Sequence, residues 1–184
     1  CQNYPISQLH NGKAYSINDL VDKILDLEKK GAHNINFVTP THYSAHIAKA
    51  VVSAREQGLS IPIVYNCSGY ENEDVLKLLD GVVDIYLVDA KYSDDKIAEE
   101  YSGINDYVAI NIQAIKVMLE QVGQLVMDAN GIAGRGVIVR HMVLPNHIEN
   151  TLGVLDNLGK ISNELYISFM AQYHPAHKAY EYKK

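Results

Sequence analysis

An α/β fold with a parallel sheet is predicted by two observations. Short apolar runs rich in Val, Ile and Tyr alternate with longer stretches whose apolar residues recur at helical spacing. The apolar runs also finish in polar or reactive side chains. Strands separated by helices make βαβ units, because parallel neighbours need a crossover longer than a hairpin turn.

The elements follow in order. Ser16-Ile17-Asn18-Asp19 opens a helix, with Ser16 as N-cap and Asp19 closing a capping box. Ile17, Leu20, Val21, Ile24 and Leu27 form its apolar stripe, and Gly31 ends it. The first strand is expected at 35–39, followed by a helix at 44–57 that Gly58 stops. A second strand at 61–65 tolerates Pro62 near its start. A short helix at 73–79 leads to a third strand at 83–88, then helices at 94–101 and 107–121. Asn130-Gly131 suits a hairpin turn that returns residues 125–127 onto the longest strand, 136–144. A helix at 149–158 precedes the last strand, 165–170.

Bulk composition narrows the function. With 184 residues, 47% hydrophobic, the chain fits one domain spanning 1–184 with an ordinary core. A net charge of −6 argues against nucleic acid or an anionic membrane as partner. No apolar run reaches the roughly 18 residues of a membrane span. Two cysteines, Cys1 and Cys67, make no disulfide framework and point to a reducing, cytoplasmic setting.

The strand ends carry the candidate chemistry. They read Thr39-Pro40-Thr41-His42, Asn66-Cys67-Ser68, Asp89-Ala90-Lys91, Arg140-His141 within the long run, and Gln172-Tyr173-His174. Barrels of parallel strands build their sites at this C-terminal edge. The i, i+2 spacing of Asn66 with Ser68 and of Asp89 with Lys91 sets each pair on one strand face, whereas Cys67 faces the other way, into the core.

The opening Cys1-Gln2-Asn3-Tyr4 resembles the third cysteine of the Cys-x3-Cys-x2-Cys loop of radical S-adenosylmethionine (SAM) enzymes, in particular the relatives of the pyruvate formate-lyase activating enzyme. The segments 34–42, 65–70, 84–92, 140–145 and 169–175 resemble successive strand segments of that branch. The resemblance implies a partial (β/α)6 barrel, here lacking its first strand, in a chain that is a fragment at its N-terminus and stops early at its C-terminus. It implies a 4Fe–4S cluster with Cys1 as one ligand. Thr39 and Thr41 fall where the SAM amine is received, although this segment lacks the family's glycines and glutamate. Asn66, Ser68, Asp89, Lys91, Arg140 and His174 fall on strand ends that line the SAM pocket. The expected partners are a glycyl radical enzyme as target and flavodoxin or ferredoxin as electron donor, with segments 146–149 and 173–177 bordering the mouth. A fragment of this kind is expected to be inactive and to dimerise through its exposed edge.

Two other classes compete with this reading. A metal-dependent hydrolase or lyase on a TIM-like barrel would use His42, His46, Asp89 and His174. A non-catalytic binding fragment would use none of them.

Overall fold

The computed structural model describes residues 4–175 and 179–180. A short helix α1 (Tyr4–Ser7) precedes α2 (Ile17–Lys29), which starts at the capping box that the sequence predicts. The Asp19 amide donates to Ser16 Oγ at 3.1 Å, and the Ser16 amide donates to Asp19 Oδ2 at 2.9 Å. Strand β1 (Ile35–Val38) leads through a 3₁₀ turn (Thr41–Tyr43) into α3 (Ser44–Glu56). Then come β2 (Ile63–Cys67), α4 (Glu73–Leu78), β3 (Ile85–Asp89), α5 (Asp95–Ser102) and α6 (Tyr107–Val122). Strands β4 (Val126–Met127) and β5 (Ala133–Met142), helix α7 (Ile148–Ile161) and β6 (Tyr166–Met170) complete the order.

The sheet runs β1-β2-β3-β5-β6, all parallel, and β4 adds a two-residue antiparallel hairpin to the start of β5. Successive strands of the parallel path are neighbours, so crossovers of one hand lay the helices on one face. The core agrees. Ile35 and Ile63 pack with α2 and α3, while Tyr65, Cys67, Tyr86, Val88, Val137 and Val139 pack with α4, α6 and α7. Alternation sets Asn66, Leu87, Asp89, Ile138 and Arg140 on the opposite face. Among the described residues β1 and β6 each pair with one strand, so the sheet is open. The parallel α/β architecture is shown; closure toward a barrel is not.

Strand boundaries shift from the expectation for local reasons. The second strand begins at Ile63 rather than at 61, where the Ile63 amide donates to Asp84 Oδ2 at 2.8 Å. Arg55 holds that carboxylate from α3, Nη2 to Oδ2 at 2.8 Å. The strand also ends two residues later than expected, at Cys67, which brings Asn66 and Cys67 into it. In α2 the buried residues are Val21 and Ile24, and Leu27, expected in the stripe, is exposed, while Leu25 packs against the core beside Ile17 and Leu20.

Gly136 opens the buried half of β5 at φ +123°, and a Cβ there would lie 2.5 Å from the Gln124 carbonyl oxygen and from Leu125 Cα. The hairpin backbone blocks any side chain. Gly136→Ala is therefore expected to destabilise the fold by more than about 2 kcal/mol, read from the denaturant midpoint at an unchanged slope.

Candidate functional site

Three neighbouring strands bring four of the sequence-predicted residues together on the face turned away from the helices. The register aligns Asp89 of β3 with Arg140 of β5, and Asn66 of β2 with Leu87 of β3. Arg140 Nε and Nη2 donate to Asp89 Oδ1 at 2.8 and 2.7 Å, and Nη2 also donates to Asn66 Oδ1 at 2.8 Å. Lys91 Nζ stands 3.6 Å from Asp89 Oδ2. Two cations thus share one carboxylate, leaving an excess positive charge. Asp89 and Arg140 are 20% and 27% exposed, whereas Lys91 at 42% reaches toward solvent. Charge-assisted contacts this short are the stronger kind, and partial burial limits their screening.

The backbone beneath this assembly is fixed from the helix side. Asn111 of α6 donates through Nδ2 to the carbonyls of Gly69 and Asp89 at 3.0 and 2.9 Å. The buried Tyr107 hydroxyl lies 3.0 Å from the Ser68 carbonyl and 3.1 Å from that of Asp89, and it accepts from the Lys91 amide at 3.1 Å. Gly69, at φ +76°, has no alternative: a Cβ would fall 2.2 Å from both Asn111 Nδ2 and the Asp89 carbonyl oxygen. Fully buried His141 contacts the Ala90 carbonyl through Nδ1 at 2.6 Å and Thr151 Oγ1 through Nε2 at 3.0 Å. Asn150 donates to the Lys91 carbonyl and accepts from the Ser93 amide. The loop carrying Lys91 is thereby tied to α6, β5 and α7.

The remaining expected residues lie elsewhere. Ser68 falls one residue past β2, and its hydroxyl accepts from the Tyr70 amide at 3.4 Å, so it forms a turn rather than extending the Asn66 face. Thr39 takes a left-handed backbone, φ +55°, which strains a β-branched residue; its amide donates to the Asn66 carbonyl at 2.8 Å. Thr41 donates to Glu71 Oε1 at 2.8 Å, away from the Asp89 assembly. His174 is exposed after β6 and makes no hydrogen bond or ion pair among the described residues. Cys1 and His177 lie outside the described residues. Cys67 is buried in the core, and burial pushes its thiol well up from the ordinary value.

His42 and His46 flank Tyr43, with ring centroids 4.5 and 6.4 Å away. Among the described residues no three His, Cys, Asp or Glu side chains gather into a metal-binding group, so the ligand set of the hydrolase reading is not assembled there. No helix of the described residues is long and apolar enough to cross a membrane. At the same sheet edge an open cleft is lined by Leu144 and by Asn146, Ile148 and Tyr173, the last three of which lie in the two segments expected to border the mouth.

No protein-family model matches the chain. An uncharacterized protein of Methanocaldococcus jannaschii is 30% identical over 192 aligned positions, which cover 99% of this chain and 52% of that protein. The chain spans about half the length of this curated relative. A domain of the pyruvate-formate lyase-activating enzyme from Bacteroides vulgatus superposes with a TM-score of 0.44 at 10% identity, over 75% of this chain and 98% of that domain. Likeness at that level carries no argument about this chain's chemistry.

Sequence reasoning missed Glu71, Tyr107, Asn111 and His141 as organisers of the site. Glu71 reads in the sequence as a loop residue, Tyr107 and Asn111 as helix residues and His141 as a strand residue. Glu71 gains partners only where the turn after β1 meets β2, and the other three only where α6 and α7 approach the strand ends. Asp89→Asn, Arg140→Gln and the double variant are expected to show a coupling of about 1–2 kcal/mol in a stability cycle near neutral pH. Additive effects would mean that the pair is not energetically linked.

Proposed function

We propose that this chain is the SAM-binding core of a radical SAM enzyme, a partial (β/α)6 barrel whose helix-free sheet face receives the ligand. The observation that carries the reading is the Asn66–Asp89–Arg140–Lys91 assembly at the C-terminal ends of β2, β3 and β5. A methionine zwitterion needs an acceptor for its ammonium and a cation for its carboxylate. Asp89 supplies the first, and Lys91, the more exposed cation, supplies the second. Arg140 spans Asp89 and Asn66 and keeps both oriented. Leu87 and Ile138, beside them on the same face, offer the apolar surface that would exclude water from a nucleoside. The donor set fits such a ligand at these four residues; Thr41 and Ser68, already engaged in other contacts, fit it less well.

Together a 4Fe–4S cluster and SAM supply a one-electron reductive cleavage that releases a 5′-deoxyadenosyl radical. In this reading Cys1 provides one thiolate. Cys67 is buried in the core, so the other two would come from outside these 184 residues. Activity, an electron donor such as flavodoxin or ferredoxin, and a glycyl radical enzyme as target therefore belong to a polypeptide that carries the complete three-cysteine loop. The family resemblance alone supports that extension.

Binding can be tested on the chain itself. Isothermal titration with S-adenosylhomocysteine, an unreactive analogue, is expected to show one site. Asp89→Asn and Lys91→Ala are each expected to weaken it about tenfold or more, the loss of one charge-assisted contact. The unfolding midpoint is expected to be retained in Lys91→Ala and lowered in Asp89→Asn by the loss of its pair with Arg140, the chain staying folded at the titration temperature. Wild-type affinity in both variants, or no binding to the wild-type chain, would overturn the reading. In a polypeptide with the loop restored, anaerobic reconstitution should give broad 4Fe–4S absorption and SAM cleavage under strong reductant.

A further inference from the structure

On the helix side of the sheet, the turns after β1 and β2 meet around a carboxyl group that the proposed binding chemistry leaves unused. Glu71 is only 3% exposed. Thr41 Oγ1 lies 2.8 Å from Glu71 Oε1, and the Tyr65 hydroxyl lies 3.3 Å from Oε2. The Tyr65 hydroxyl is also 2.8 Å from Ser44 Oγ, which in turn is 2.7 Å from the Thr41 carbonyl oxygen.

These four contacts need four protons, and the three hydroxyls supply three. A carbonyl only accepts, so the Ser44 proton goes to the Thr41 oxygen. Ser44 Oγ then accepts, which takes the Tyr65 proton. Thr41 spends its own on Glu71 Oε1. The contact between Tyr65 and Glu71 Oε2 is left without a hydrogen unless the carboxyl brings one. A proton on the Cys67 thiol, beside Glu71, would point at the carboxyl and cannot serve the tyrosine oxygen.

We propose that Glu71 is a positioning residue, held as a neutral carboxylic acid whose proton on the Tyr65 oxygen leaves Ser44 to hold the Thr41 carbonyl. Ionisation releases that proton to solvent and reverses the chain. Tyr65 then donates to Glu71, Ser44 donates to Tyr65, and the Thr41 carbonyl loses the Ser44 hydroxyl. That carbonyl ends the strained Thr39-Pro40-Thr41 turn, whose Thr39 amide is bonded to the backbone of Asn66. The protonation state of Glu71 thus reaches the edge of the Asp89 assembly, and its consequence for ligand affinity rests on the SAM reading above.

The surroundings favour the neutral form. The groups facing Glu71 are Thr41 and Ser44 before and at the start of α3, and Tyr65 and Cys67 on β2. On α4, Lys77 is engaged by Glu73 and Asp74, and on β3 Asp89 is engaged by Arg140. No ion pair reaches Glu71 among the described residues. Burial raises its proton affinity, and hydrogen bonds from Thr41, Tyr65 and Cys67 oppose that only in part. The sign for stability follows: the native state holds a proton that the unfolded chain releases near the ordinary glutamate value of about 4.3. Wild-type stability relative to Glu71→Gln is full below that value and falls as pH rises through the higher native midpoint. The glutamine amide keeps all four contacts without titrating.

The test is a carboxyl ¹³C NMR titration of the chain, wild type and Glu71→Gln, with backbone amides of Thr41 and Ser44 followed in parallel. The Glu71 carboxyl is expected to titrate above the ordinary range, the two amides to move with the same midpoint, and both amides to be flat in Glu71→Gln. A Glu71 midpoint at or below the ordinary value, or amides that ignore it, would overturn the proposal. The wild-type titration alone decides this if the variant fails to fold. In a second arm, S-adenosylhomocysteine affinity should fall about fivefold as Glu71 ionises, one hydrogen bond's worth, and stay constant in Glu71→Gln. A pH-independent wild-type affinity would sever the link to the ligand. Absence of binding at every pH would overturn the SAM reading while the titration still judges Glu71.

Discussion

The geometry of the candidate site depends on one close approach. The Asn111 amide reaches through the space that any side chain at position 69 would fill, and it grips the Gly69 carbonyl in the turn after β2 and the Asp89 carbonyl that ends β3. Those carbonyls lie just past the last ladder bonds, where parallel strands diverge and their polar groups need new partners. With Tyr107 beside it, α6 acts as a brace across both ends, and Asp89 then stands at a fixed height opposite Arg140. The ion pair follows from this constraint rather than creating it.

The same strands serve two polar groups on opposite faces. On β2, Asn66 points to the helix-free face and joins Arg140, while Tyr65 points to the helices and joins Glu71 and Ser44. The two-residue period of a strand makes this unavoidable: neighbours in sequence belong to different environments. One face is partly open and suits charged groups that meet a ligand. The other is dry, so its polar atoms must satisfy each other in a closed network. The left-handed turn at Thr39 connects the two, because the Thr39 amide meets Asn66 and Thr41, two residues on, meets Glu71.

Much of the fold was legible in the sequence because local periodicity is a short-range property. The alternation of strand and helix, the Ser16–Asp19 capping box, the hairpin at Asn130-Gly131 and the inward-facing Cys67 all depend on residues within a few positions of one another. The polar strand ends were equally legible, and four of them, Asn66, Asp89, Lys91 and Arg140, do converge. Ser68 and Thr41 did not join them, because a strand's face is lost once the chain turns: Ser68 lies beyond the last residue of β2 and Thr41 beyond the bend at Thr39.

The amino-acid sequence by itself determined the order of elements, the parallel sheet and the edge at which polar chemistry collects, since period and spacing encode them directly. Only the tertiary structure decided that Glu71 is buried, that Asn111, Tyr107 and His141 hold the loops, and that Arg140 bridges two strands. Each of those partnerships joins residues 6 to 74 positions apart, and the burial that gives it strength exists only after the helices close on one face of the sheet.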